Sequence, residues 1–373
     1  MASVRVVGWP VLLTALLAIA GCSARWTEEQ VNGLRHLATA EVSGRGGRVR
    51  VKVPVLEGET AMLFTADAEP DHKAVFLGAT SPGGDKVYDV DTEWASGVEK
   101  TGARYATDVV SLNWPILRSD APLDPGRWTV DLGLVDSDLN YQRGVSADLD
   151  VVLEQDPDFS GGTLGVRLVF AGATQDDATV KDAVHQAVDT WKTLYAQIGV
   201  DLVVTEGTWP DGQLTKPGET SGDAYASISA ETALGTVTVV IVDGIEGSPD
   251  IFGVAGGIPG PLVPTAYSVV TVAALTHAGG DGVFDAEEIR LLAETMAHET
   301  GHFLGLFHPV EQTWDAWDAV DDTPQCDSQA SCIQALGSNL MFPYPLCTTT
   351  SCRPQDELTP GQGAVVNRYA GVL

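Results

Sequence analysis

Basic side chains are what this sequence most conspicuously lacks. Its 373 residues hold 21 Lys and Arg against 51 Asp and Glu, for a formal net charge of −30. That deficit disfavours nucleic acid as a partner, because its phosphates would be repelled. It equally disfavours adhesion to anionic lipid headgroups through a basic surface. No unbroken apolar run reaches the roughly 20 residues that a bilayer-spanning helix requires, and no internal repeat is visible. Cysteine is scarce and uneven, with four of five crowded after residue 325. Histidine numbers only seven, so any clustering of histidines carries weight. What is plentiful is glycine (40) and proline (20), a turn-rich composition, beside a 44% hydrophobic fraction adequate for a packed core. The length points to two domains of about 100–200 residues each.

Residues 11–20 form an apolar stretch after Arg5, too short to span a membrane and of the length of a secretory h-region. The stretch closes on Ile19-Ala20-Gly21-Cys22, which resembles the lipobox of bacterial lipoproteins. That resemblance implies a signal peptide over 1–21 and diacylation of Cys22 as the first mature residue. Ser23, in place of aspartate, implies an outer-membrane or cell-surface position in the envelope rather than inner-membrane retention. Two acyl chains suffice for stable anchoring, so membrane contact is expected only through this lipid. A conventional signal peptide with a chance cysteine is the plainer alternative. The remaining Cys326, Cys332, Cys347 and Cys352 read as two disulfides of an exported protein. Their spacing does not rank the three pairings, and a rival second zinc site lacks the usual Cys-x-x-Cys pattern.

The chain divides by its patterning. Residues 22–47 read as a polar, flexible lead ending in Ser43-Gly44-Arg45-Gly46-Gly47. From Arg48 the text alternates apolar and polar, and short strands are expected at 61–65, 74–77, 109–112, 128–135 and 147–153, separated by turns such as Pro82-Gly83-Gly84. This grammar predicts a β-sandwich over 48–155, serving as an accessory domain or as a pro-segment that blocks the site until it is cut. Asp156-Pro157-Asp158 marks the boundary, where cleavage would free the remainder from the anchor. The second part, 156–373, has α/β grammar. Strands are expected at 163–170, 201–205, 237–242 and 268–273. A long helix over 176–198 carries Val180, Val184, Val188, Trp191, Tyr195 and Ile198 on one face. The glycine-rich 253–260 opens no helix and reads as plain loop. The fold class is therefore α+β/α/β multidomain.

The chemistry concentrates in residues 298–308, which read His-Glu-Thr-Gly-His-Phe-Leu-Gly-Leu-Phe-His. Asp285 with Glu288 caps a second helix leading into this run. Calcium binding by the preceding Asp281-Gly282 segment is the weaker reading, because His277 and Gly279 would fall on ligand positions. Residues four apart share a helix face, so His298 and His302 can address one ion. Gly305 can turn the chain so that His308 returns as third ligand. Three imidazoles leave a fourth tetrahedral position open, the arrangement of a catalytic zinc. Glu299 is placed to move a proton rather than to ligate. A chance occurrence of the five defining residues is on the order of one in 10⁵ chains of this composition. His36, His72, His185 and His277 have no metal spacing.

Residues 298–308 resemble the extended zinc signature of metzincin metallopeptidases. The resemblance implies a metzincin-type domain with a twisted mixed sheet, a backing helix, an active-site helix and a C-terminal helix. It also implies a methionine beneath the zinc ligands, for which Met341 in Asn339-Leu340-Met341-Phe342-Pro343 is the candidate. Within metzincins the chain is most similar to the pappalysin group, through Asp321-Asp322-Thr323-Pro324, the nearby cysteines and the 358–362 segment opening a last helix. Calcium at Asp321 and Asp322 follows from that similarity, with a solvated turn as the alternative. Pro343 stands where the group carries tyrosine, so transition-state support would fall to Tyr344, one residue later. Pro309 replaces the group's usual threonine.

The expected activity is zinc-dependent endopeptidase hydrolysis of a polypeptide substrate, with Glu299 as general base. An edge strand near 268–273 is expected to pair with the extended substrate, by analogy with other metzincins. The alternatives are a zinc hydrolase acting on another amide and an inactive zinc-fold surface lipoprotein used for binding or adhesion. The second would not need Glu299.

Overall fold

The computed structural model describes residues 25–155, 158–209, 214–218, 221–278, 282–348 and 351–373. The expected signal peptide, Cys22 and its lipid, the Asp156-Pro157 boundary, and Gly279 and Asp281 lie outside those residues.

The lead expected over 22–47 is instead folded from Thr27 onward. Strands β1 (Thr27–Val31) and β2 (Leu34–Ser43) form an antiparallel hairpin. Its two-residue turn is Asn32-Gly33, both at positive φ (53° and 85°). Asn-Gly between apolar residues is a strong hairpin signal, because both residues tolerate the left-handed backbone that matches strand twist. Leu34 and Leu37 are fully buried. Arg35 is buried too, holding Glu59 through Nη2–Oε2 at 2.7 Å and the Pro54 carbonyl at 2.6 Å. Burying that charge is tolerable only because it is paired and hydrogen-bonded.

The hairpin enters a five-stranded antiparallel sheet ordered β1-β2-β10-β4-β8, with β4 (Ala61–Ala68), β8 (Val109–Trp114) and β10 (Ser146–Glu154). A four-stranded antiparallel sheet faces it, ordered β3-β9-β5-β6, from β3 (Arg48–Val55), β5 (Lys73–Thr80), β6 (Lys86–Asp89) and β9 (Gly126–Val135). In β3, Val49, Val51, Val53 and Val55 are buried and Arg48, Arg50 and Lys52 exposed, the alternation expected of a strand with one wet face. The rings of Phe64 on β4 and Phe76 on β5 meet edge to face at 5.4 Å, joining the two sheets. A short helix, α1 (Val90–Ser96), follows β6.

The second part is a mixed sheet ordered β12-β11-β13-β15-β14. Strands β11 (Gly162–Ala171), β12 (Val200–Trp209), β13 (Thr236–Val242) and β15 (Val269–Ala273) are parallel, and β14 (Gly253–Ala255) is antiparallel. Two expectations change here. The 268–273 strand is interior, flanked by β13 and β14, and the edge is β14, three residues taken from the stretch read as loop. Glycine there reflects close packing: a Cβ on Gly256 would lie 1.9 Å from the Tyr267 carbonyl oxygen.

Helix α2 (Ala178–Ala196) buries Val180, Val184, Val188, Trp191 and Tyr195, with Ile198 just beyond its end, and Gly199 (φ 79°) ends the turn that follows. Each such side chain removed from water contributes about 1.5–3 kcal/mol. The Tyr195 hydroxyl donates to the Ala297 carbonyl at 2.9 Å, tying this helix to α4 (Ala286–Phe303). Helices α3 (Gly222–Ala230), α5 (Gln329–Leu336) and α6 (Pro360–Val366) complete the described elements. Both parts share one apolar core, in which Leu34, Leu37 and Val152 cluster with Leu164, Val237 and Val372. A two-residue parallel pairing of β7 (Val98–Glu99) with β16 (Trp317–Asp318) adds a backbone link. No helix among the described residues is long and apolar enough to cross a membrane.

Candidate active site

Helix α4 begins as expected. The Asp285 carboxylate accepts from the amides of Glu287 and Glu288 at 2.8 and 2.9 Å, and Glu288 accepts from the Asp285 amide at 2.8 Å. Leu292, Ala293, Met296 and Ala297 are buried at three- and four-residue spacing. That face packs inward and turns His298 and His302 toward a cleft. The helix stops at Phe303. Gly305, at φ 105°, lets the chain reverse, and the Leu306 amide returns to the Gly301 carbonyl at 2.9 Å. This reversal brings His308 back beside the helix.

The three imidazoles meet. One ligand atom from each of His298, His302 and His308 lies within 4.8 Å of the others, and no other such group occurs among the described residues. Each Nδ1 is already engaged: His298 with the Leu340 carbonyl at 2.7 Å, His302 with the Leu306 carbonyl at 2.7 Å, and His308 with the Glu311 carboxylate at 3.0 Å. A carbonyl can only accept, so His298 and His302 carry their protons on Nδ1 and present Nε2 lone pairs. Burial, with the neighbouring imidazoles, depresses His298 to about 3 and His302 well below its ordinary value, so both are neutral at physiological pH.

This donor set fits a zinc ion. Two nitrogens bound to one zinc at about 2.0–2.1 Å and the tetrahedral angle stand about 3.3–3.4 Å apart. The Nε2 atoms of His302 and His308 are 3.1 Å apart. Glu311 was not foreseen from the sequence; its signal is a carboxylate three residues after the last histidine.

Glu299 lies against the edge strand. A Cβ on Gly253 would stand 2.6 Å from its Cγ, and the Ala255 backbone hydrogen-bonds its carboxylate. Burial pushes this carboxyl up to about 8. A cation held by the adjacent imidazoles would draw it back down. The surrounding cleft has a volume of about 440 Å³ and is lined by Phe252, Leu291, Leu340 and Tyr344 as well as the site residues. His277 also borders it, held by the Ala273 carbonyl and Thr295 and pushed down to about 4 by burial.

Met341 is fully buried beneath the helix, and a Cβ on Gly301 would meet its Sδ at 2.7 Å. Tyr344 borders the cleft, but its hydroxyl takes a hydrogen bond from Gln329 at 3.2 Å while its ring packs on Phe342 and Trp314. Asp322 caps α6, accepting from the Thr359 hydroxyl at 2.6 Å and the Gly361 amide at 2.8 Å, and Asp321 faces solvent. The disulfides are Cys326–Cys332 and Cys347–Cys352. His36 lies between Glu29 and Asp150 at 2.9 and 2.7 Å, and His185 pairs with Glu206, so both are engaged outside the histidine cleft.

No protein-family model matches the chain, and no curated protein matches it by sequence. Two solved structures of zinc-peptidase fold are similar over part of it. Archaemetzincin from Methanopyrus kandleri is 17% identical over 41% of this chain and 78% of its own, with a TM-score of 0.24. Metalloproteinase-II from Bacteroides fragilis is 15% identical over 52% of this chain and 62% of its own, with a TM-score of 0.29. Likeness at this level carries neither protein's activity to this chain.

Proposed function

We propose that the chain is a zinc-dependent endopeptidase of metzincin type. The observation that carries the proposal is the convergence of His298, His302 and His308, each with Nδ1 engaged, beside the half-buried carboxylate of Glu299. A zinc ion there would supply a Lewis acid for the scissile carbonyl and bring the pKa of water toward 7. Glu299 takes the proton released during attack and returns it to the leaving amine. The Leu340 and Leu306 carbonyls and Glu311 hold the rings in orientation. The edge of β14 away from β15 offers backbone groups to an extended substrate, apart from the Ala255 group that already meets Glu299. Gly305 and Met341 support the metzincin reading, and the 321–324 element supports the pappalysin-like one. Tyr344 and calcium at Asp321 and Asp322 remain part of that finer proposal.

The N-terminal sandwich is proposed as an accessory domain, since the shared apolar core favours a permanent partner over a segment shed on activation. Export and anchoring through Cys22, in the outer envelope of a bacterium, rest on the 19–22 sequence.

The test is cleavage of a denatured general substrate by the wild type and Glu299→Ala, with zinc measured in both. The expected result is equal zinc and at least a hundredfold loss of cleavage in the variant. Equal zinc with equal or no cleavage overturns the peptidase reading in favour of a binding module. Intact mass of the mature protein tests the lipid.

A further inference from the structure

A second groove, of about 300 Å³, lies where the sandwich meets the zinc-site half. One wall comes from the 105–111 segment of the sandwich and the other from residues 255–259, and Phe307, next to His308 in the chain, also lines it. Two contacts bracket it: the Gly102 amide donates to the Ile258 carbonyl at 2.6 Å, and the Tyr267 hydroxyl to Asp108 at 3.0 Å. The groove adjoins the histidine cleft, with Ala255 and Ile258 bordering both. Nothing in the strand grammar of the sandwich foretold that it would wall a groove beside the site.

We propose that the sandwich builds a substrate subsite for an apolar side chain N-terminal to the scissile bond. This deepens the peptidase reading and rests on it. A peptide added to the β14 edge pairs best antiparallel, since antiparallel ladders are the more stable. Strand β14 runs from Gly253 to Ala255, so such a peptide runs the other way. Its C-terminal residues then pass toward Phe252 and its N-terminal residues leave past Ala255 into the groove. The step from Ala255 to Ile258 is three residues, which bend at Gly256 and turn at Ile258 and so span less than the about 10 Å of an extended chain. That distance sets the occupant about two to four residues before the cut. Val109, Val110 and Ile258 make the lining apolar, and an apolar side chain is the occupant that leaves no polar group unpaired.

The experiment compares two peptide series, one with leucine and one with serine scanned across both flanks of a cleaved bond. Wild type is expected to favour leucine over serine by about tenfold or more at one N-terminal-flank position. In Val110→Thr and Tyr105→Ala that ratio is expected to approach one, with Tm reporting that each variant folds. A wild-type ratio near one, a preference on the C-terminal flank instead, or a ratio unchanged in both variants overturns the proposal. If wild type cleaves no peptide, the peptidase reading fails separately. Fluorescence anisotropy of the same labelled peptides on the Glu299→Ala protein then decides the groove, tighter leucine-peptide binding lost in the added groove variants supporting it and equal or absent binding overturning it.

Discussion

The side-chain amides of Asn339 and Gln362 face one another, buried and reciprocally paired: Asn339 Nδ2 donates to Gln362 Oε1 at 2.8 Å, and Gln362 Nε2 to Asn339 Oδ1 at 3.1 Å. The same Asn339 oxygen accepts from the Met341 amide at 2.9 Å, and the same Gln362 oxygen from the Thr359 amide at 2.9 Å. Between Asn339 and Met341 sits Leu340, whose carbonyl holds His298. The pair therefore joins the start of α6 to the orientation of one ring of the histidine cluster.

Gln362→Leu leaves the Asn339 amide buried without its partner, a cost of about 1–3 kcal/mol. Tm is expected to fall by a few degrees, and zinc affinity, read by competition with a chelating dye, to fall with it. Lower Tm at unchanged zinc affinity would separate the pair from the His298 ring.

Gly301 has no room for a side chain above Met341. Gly301→Ala is expected to cost about 1–3 kcal/mol through overpacking. Pairing it with Met341→Ala should recover part of that loss, and a double-mutant cycle on Tm measures the coupling. Additive losses would mean that the two residues do not press on one another.

Gly253→Ala sets a methyl against the Glu299 side chain without requiring an unusual backbone angle. Cleavage is expected to fall at least tenfold while bound zinc stays at the wild-type level. Loss of zinc as well would place the damage in the histidines.

Removing zinc tests the same site from the metal side. A chelator is expected to lower Tm by several degrees, and added zinc to restore it, because ligand at about 1,000 times its Kd contributes about 4 kcal/mol. His302→Ala should be insensitive to both additions. An unchanged Tm in the wild type would argue against tight occupancy.

The pH dependence has a contribution far from the zinc site. Asp67 on β4 stands directly across from Asp148 on β10, and burial together with Asp148, Asp150 and Asp108 raises it to about 6. A raised acid keeps its proton longer in the folded chain than in the unfolded one, where aspartate titrates near 3.9. Stability from this group is thus greatest below about pH 4 and declines as pH rises through about 6. Asp67→Asn removes that decline, so Tm should rise by about 2–4 °C at pH 8 and change little at pH 4. A lower Tm at pH 8 would contradict the like-charge account.

Local pattern carried most of what the sequence made legible. Residues 298–308 disclosed the histidine cluster because helical spacing, a capping box at Asp285 and a glycine turn are set by near neighbours. The alternation in β3 and the apolar face of α2 were readable for the same reason. The Asn32-Gly33 hairpin was equally local, but the polar text around it concealed it within a stretch taken for a flexible lead.

What only the tertiary structure decided are the relations between distant segments. The edge of the sheet fell to β14 rather than the strand at 268–273 because order in a sheet depends on which strands pair, and a three-residue strand carries no periodicity of its own. The disulfide pairing, the Leu340 carbonyl on His298, the Asn339–Gln362 bridge and the sandwich wall of the second groove likewise join residues far apart in the chain or left ambiguous by spacing. The sequence by itself determined which residues form the histidine cluster, since its geometry is built within eleven consecutive positions. The fold decided what surrounds and orients them, since no run of residues can encode a neighbour that only the folded chain brings near.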